Sequence, residues 1–142
     1  MAKILKLRAD AIDNALQGVT RQYLVGDLQK PQALSHIPNH LIEIGITRYG
    51  PQGGCEPPHT HTQAFESQYM LSGKTAYLDT VTGEEHVFGA GDFYLIEPGV
   101  SYAQKSVPDT AILFIKVPAG NDKIPVSMTD DIQAWFEKPI PT

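Results

Sequence analysis

Short segments of alternating apolar and polar residues, separated by turn formers along nearly the whole chain, constrain the fold more than any other feature. With 12 Gly and 11 Pro among 142 residues, few stretches are long enough for an ordinary helix. Runs such as "KTAYLDT" and "TAILFIKV" carry the two-residue period of a pleated strand. Strands are expected at 3–7, 20–25, 41–49, 59–61, 65–71, 74–80, 85–88, 93–97, 101–106 and 110–117. Many short strands joined by tight turns imply an all-β sandwich or barrel. Two pieces break the pattern. "DAIDNALQG" at 10–18 begins with Asp and ends at Gly18, as a short helix does. In "TDDIQAWFEKP" at 129–139, Ile132, Trp135 and Phe136 fall at helical spacing, Asp130 and Gln133 suit a capping box, and Pro139 stops the run. This tail is expected to pack on the outside of the barrel.

A chain of this length makes one domain, able to remove roughly two-thirds of its unfolded surface from water. No repeat or composition break divides it. At 19% charged and 42% hydrophobic residues it is too apolar to stay disordered. A net charge of -5, with no Lys/Arg run, offers no basic face, so nucleic acid is discounted as a partner. Cys55 is the only cysteine, which rules out an internal disulfide and makes a cytoplasmic location the expectation. The apolar run in "MAKILKLRAD" is too short for a signal peptide, and no stretch is long enough to cross a bilayer. A soluble protein with no membrane partner is expected.

The chemistry is concentrated in "PPHTHTQAFESQYMLSG", residues 57–73. Successive side chains of a strand point to opposite faces, so His59 and His61 share a face with Cα atoms about 6.6 Å apart. Two imidazoles so placed can converge on one ion. Glu66 follows after four residues, and a reversal through 62–65 would return its carboxylate beside the histidines. Two nitrogens and an oxygen would then meet at about 2.0 to 2.2 Å from a metal. Gln68 and Met70 share the face of Glu66, and both become candidate substrate contacts, Gln68 also a candidate catalytic residue.

Gly53, five residues, His59-Thr60-His61, four residues, Glu66, six residues and Gly73 together resemble the first motif of the cupin superfamily, with every fixed position filled. A chance match at these five positions is on the order of one in 10⁵ under ordinary residue frequencies. The second cupin motif resembles "GDFYLIEPGVSY": Gly91-Asp92 opens it and Pro98-Gly99 supplies its turn. Two of its positions depart, with Glu97 where the family has proline and Tyr102 where the fourth ligand is usually histidine. The resemblance implies a double-stranded β-helix, or jelly-roll, barrel over about 41–117, with an N-terminal arm at 1–40 and a tail at 118–142. It also implies one divalent metal ion, with Fe(II) first and Mn, Ni or Zn as other choices.

Tyr102 is either a phenolate ligand or a bystander to an open His59, His61, Glu66 triad. A hydroxyl with an ordinary pKa near 10 keeps its proton unless a cation displaces it. The open triad, the arrangement of non-haem Fe(II) oxygenases, is preferred, with Tyr102 nearby as general acid or base. Gln104 shares the face of Tyr102 and is a further substrate contact. Arg48 would join it at the barrel mouth if Ile44, Ile46 and Arg48 face inward. Cys55 is read as a small buried residue, and His36, His40, His86 and Glu97 as solvated. The family's range puts a dioxygenase acting on a small polar organic substrate first, with isomerase, epimerase or lyase chemistry as the alternative, or a non-catalytic small-molecule-binding module. A homodimer is the expected assembly, since cupins often align edge strands.

Overall fold

Alternation in the short segments becomes strand in the structure, a computed structural model that describes residues 1–142. A short helix, α1 (Ala9–Ala15), is followed by β1 (Arg21–Gly26), β2 (Ile37–Pro38), β3 (Glu43–Arg48), β4 (Gly54–His61), β5 (Phe65–Ser72) and β6 (Lys74–Asp79). The chain continues through β7 (Glu85–Gly89), β8 (Phe93–Ile96), β9 (Ser101–Ser106), β10 (Ala111–Val117), β11 (Lys123–Pro125) and α2 (Asp130–Glu137). Two sheets face each other as a jelly-roll barrel, one ordered β2-β1-β3-β10-β5-β8 and the other β11-β4-β9-β6-β7. No helix is long and apolar enough to cross a membrane.

The two glycines that frame the histidine motif are required by the backbone. Gly53 has φ +71°, and a side chain there would meet the carbonyl of Ser106. Gly73 has φ +79° and lies against Thr110, with no room for a Cβ. Both are turns in the left-handed region, where only glycine is unstrained.

Most expected strands are present, but several expectations need correction. Residues 3–7 belong to no strand and are largely exposed, although "KILKL" alternates. Alternation alone does not make a strand when no sheet edge receives it. The barrel also extends beyond 41–117: β1 pairs with β3, and β11 pairs with β4. Neither β2 nor β11 was expected, because segments of two and three residues are too short to show a period. The cap of α2 is Thr129, whose side chain accepts from the Ile132 amide, in place of an Asp130 capping box.

The interior is divided. Tyr49, Met70, Tyr77, Tyr94, Tyr102 and Ile112 pack between the sheets. Outside the second sheet, Ile132 and Trp135 of α2 cover Ala76, Leu78 and Ala103. The helix therefore packs on the barrel wall, where Lys105 lies over the Trp135 ring at 4.2 Å and donates to the carbonyls of Trp135 and Lys138.

Candidate metal centre

The two histidines do share the inward face of β4, as the pleat requires, and both are buried. Their rings stand 5.3 Å apart between centroids and nearly perpendicular. Imidazoles bound through one nitrogen each, about 2.1 Å from a shared ion, would place their ring centres about 5 Å apart. This pair therefore fits a divalent cation.

The remaining nitrogens fix which atom is offered. His59 Nδ1 lies 2.8 Å from the Pro57 carbonyl and His61 Nδ1 lies 2.7 Å from Asp122 Oδ1. Each acceptor is served by an Nδ1–H tautomer, which leaves the Nε2 lone pair for a ligand. Burial lowers the pKa of His59, outweighing the opposing Pro57 contact, so it is neutral at pH 7. Asp122 is held by more than the histidine: its Oδ2 accepts from the amides of Gln63 and Ala64, both at 2.8 Å. Partial burial pushes the other way, but these amides and His61 depress the carboxyl to about 2. Sequence reasoning missed Asp122. It lies 61 residues from His61, and only the pairing of β11 with β4 brings it there.

Glu66 is not beside the histidines on a return strand. β4 pairs with β9 and β11, whereas β5 joins β10 and β8 in the facing sheet, so residues 62–64 cross between sheets instead of closing a hairpin. The carboxylate consequently faces the histidines across the barrel. Its Oε2 accepts from the Tyr102 hydroxyl at 2.9 Å, and its Oε1 has no protein partner. No three His, Cys, Asp or Glu side chains are drawn into a complete metal set as they stand. The donor chemistry still suits an ion: two free Nε2 atoms and one free carboxylate oxygen border a single cavity.

Tyr102 sits opposite His59 in the β4–β9 register, with ring centroids 4.5 Å apart. Burial, and then the adjacent Glu66 carboxylate, raise its pKa well above the ordinary tyrosine value. The side chain is thus a protonated phenol donating to Glu66.

Gln68 and Gln104 also reach the cavity, each already tied to protein. Gln68 Oε1 accepts from Tyr77 at 2.9 Å and Tyr94 at 2.5 Å, while its Nε2 has no protein partner. Gln104 donates to Thr75 and Ser106, and its Oε1 accepts from Tyr49. Met70 does not contact the cavity: it is 0% exposed within the aromatic core. Arg48 is also displaced from its expected role. Gly45 and Thr47 are the buried residues of β3, so Ile44, Ile46 and Arg48 lie on the outer face. Arg48 pairs there with Asp13 at 2.8 Å. The apolar alternation of β3 marks the outer surface because the inner one borders a polar cavity, and Ile44 and Ile46 instead pair across with Ile115 and Leu113. Cys55, expected to be buried, is exposed.

The cavity, about 660 Å³ in volume, contains a charged group absent from the sequence reading. Arg21 on β1 donates from Nε to Thr47 Oγ1 at 2.9 Å and from Nη2 to Glu56 Oε1 at 2.7 Å. Lys123 on β11 reaches the other oxygen of Glu56 at 3.3 Å. A register shift between Glu56 and His59 lets residues three apart on β4 both line the cavity.

Comparison with known proteins agrees with this geometry. A family profile described as "Cupin domain" matches residues 45–117. No curated protein matches the sequence. Among solved structures, the chain is similar to an uncharacterized conserved protein with a double-stranded beta-helix domain from Klebsiella pneumoniae subsp. pneumoniae MGH 78578. The TM-score is 0.60 at 16% identity, covering 90% of this chain and 100% of that one. KdgF from Halomonas sp. matches at TM-score 0.54 and 16% identity, covering 72% and 80%. The polyketide cyclase RemF from Streptomyces resistomycificus matches at 0.52 and 19%, covering 71% of each chain. At these identities the likeness is one of fold.

Proposed function

The chain belongs to the cupin domain family, and from that premise we propose a metal-dependent enzyme that transfers a proton on a small polar organic substrate, as an isomerase or lyase does. The observation carrying this reading is the Tyr102 hydroxyl, hydrogen-bonded to Glu66 at 2.9 Å beside the His59 ring. This phenol keeps its proton at neutral pH and lines the cavity beside the candidate ligands, where the proton is held against Glu66 until a substrate competes for it.

His59 and His61 would hold the ion through Nε2, with Oε1 of Glu66 as the third donor. A bound divalent cation would supply Lewis-acid polarisation of a substrate oxygen. The protein's own groups do the rest. Asp122 keeps His61 in the Nδ1–H tautomer, and the Pro57 carbonyl does the same for His59. Burial and Glu66 hold the Tyr102 proton tightly as the site stands, and the positive charge of a bound cation would offset both. The hydroxyl would then pass its proton to an oxyanion developing on the substrate and take back the proton released from the substrate's carbon, so that none is lost overall. Gln68 Nε2 offers an uncommitted donor to orient a substrate oxygen. His59 and Tyr102 are each 4% exposed, so water reaches the hydroxyl only through the cavity that a bound substrate would fill.

The two-histidine, one-carboxylate composition supports a second reading, O₂-dependent oxidation. One experiment separates them: a panel of small hydroxy and keto acids, assayed under air with an oxygen electrode and again under argon. Proton-transfer chemistry turns over equally in both. Substrate-dependent oxygen uptake that stops under argon would replace it with the dioxygenase reading, and saturable binding without turnover would leave a binding module. Tyr102→Phe should keep bound metal and lose turnover, whereas His61→Ala should lose the metal.

A further inference from the structure

We infer that the cavity contains a separate anion-binding site, formed by Arg21 and Lys123 around Glu56, that seats a carboxylate of the ligand. The inference rests on the enzymatic reading only in taking that ligand to be the substrate.

Arg21 is built in rather than loosely placed. Its Nε is held by Thr47, its Nη2 by Glu56, and its guanidinium carbon lies 5.3 Å from the centre of the Phe114 ring. These contacts fix the plane of the fork. They use two of its five N–H donors, and Nη1 has no protein partner. Lys123 likewise spends one contact on Glu56 Oε2. A single ion pair would suffice to tie the sheet of β1 to the sheet of β4. The second cation on the same carboxylate leaves the trio with a formal charge of +1. Of the other charged residues lining the cavity, Lys116 pairs with Glu43 at 3.3 Å, Lys30 and Asp27 cancel in formal charge, and Glu66 belongs to the candidate metal centre, where a bound cation would offset it.

The trio's position indicates the kind of ligand. Glu56 and His59 are three residues apart on β4, and Lys123 is opposite His61 in the β11–β4 register. Three residues of bulged strand span somewhat under about 10 Å, so a ligand joining Arg21 to the imidazoles is roughly a four- to six-carbon acid. Planar, parallel N–H groups suit a carboxylate. Inorganic phosphate can meet the Arg21 fork but is too small to reach the imidazoles about 10 Å away, so a longer diacid should bind more tightly.

The test is calorimetric titration of the full chain with glutarate, its neutral analogue glutaramide and inorganic phosphate. Glutarate should bind at least tenfold tighter than either of the others. Arg21→Gln should lose at least tenfold in glutarate affinity, and Arg21→Lys, which keeps the charge but not the fork, should lose less. Glu56→Gln should bind glutarate several-fold tighter, because a competing negative charge is gone. A merely structural role for the trio predicts weakening there instead. Equal binding of glutarate and glutaramide, wild-type affinity in Arg21→Gln, weaker binding in Glu56→Gln, or preference for phosphate would each overturn the inference. The same titrations in His61→Ala, alongside Mn²⁺ binding to wild type, separate the two readings. Arg21-dependent glutarate binding that persists in His61→Ala supports the anion site even if wild type takes up no Mn²⁺, a result that would sink the metal-enzyme reading alone. Glutarate binding lost in His61→Ala but intact in Arg21→Gln would make the ion the anchor and refute the anion site.

Discussion

Replacing Asp122 by asparagine should disable the metal centre while leaving the fold almost intact. The Asp122 carboxylate makes three contacts, one to His61 Nδ1 at 2.7 Å and two to the amides of Gln63 and Ala64 at 2.8 Å. The two backbone groups can only donate, so in Asp122→Asn they retain the single carbonyl oxygen, and the new NH₂ turns towards His61. Facing a donor, Nδ1 must become the acceptor, and the ring proton moves to Nε2. That proton occupies the lone pair meant for the ion. Altering the partner of a ligating histidine typically costs 10- to 100-fold in metal affinity, or about 1.4–2.7 kcal/mol. Stability should fall by only about 1 kcal/mol, since one charge-assisted bond is lost from a side chain still 18% exposed. Competition titration with a chromogenic chelator gives the affinity, ¹⁵N NMR of the imidazole gives the tautomer, and urea denaturation gives the stability. Wild-type affinity for Mn²⁺ or Zn²⁺ in Asp122→Asn, with the Nε2–H tautomer seen by NMR, would refute the reasoning. So would an unchanged tautomer.

Three further outcomes follow from the same geometry. Met70→Ala empties a fully buried core position and should cost about 2–5 kcal/mol in denaturant unfolding. Because Met70 does not line the cavity, KM per folded molecule should not change. Trp135→Ala strips α2 from Leu78 and Ala103 and should cost about 3–5 kcal/mol, again with ligand affinity retained in the folded fraction, as glutarate titration below the unfolding transition would report. For pH, Asp122 has a folded-state pKa depressed from 3.8 to about 2. Its stabilisation is therefore complete above 3.8 and is lost as pH falls through about 2. The stability gap between wild type and Asp122→Ala should accordingly close as pH falls from 3.8 through about 2.

Much of the fold is visible in the residues alone because alternation is local: a pleat of period two places His59 and His61 on one face whatever the strand pairs with. The same holds for the segments that became β5, β6, β9 and β10, and for the framing glycines, whose positive φ is a local demand. The apolar alternation of β3 misleads for a related reason. It indicates that Ile44 and Ile46 share a face but not which face is the interior, and around a polar cavity the apolar set lies outside, taking Arg48 with it.

What the sequence by itself determined is thus which side chains travel together: the imidazole pair, the Glu66–Gln68–Met70 row, the Tyr102–Gln104 row and the apolar stripe of α2. The tertiary structure alone decided what those rows meet. Crossing from β4 to the facing sheet put Glu66 across the barrel from the histidines and under the hydroxyl of Tyr102. The pairing of a three-residue strand brought Asp122 to His61 and Lys123 to Glu56, and the closing of the sheets brought Arg21 to that same carboxylate. These contacts join residues 35 to 67 positions apart. They depend on strand pairing between distant segments, which local periodicity does not encode.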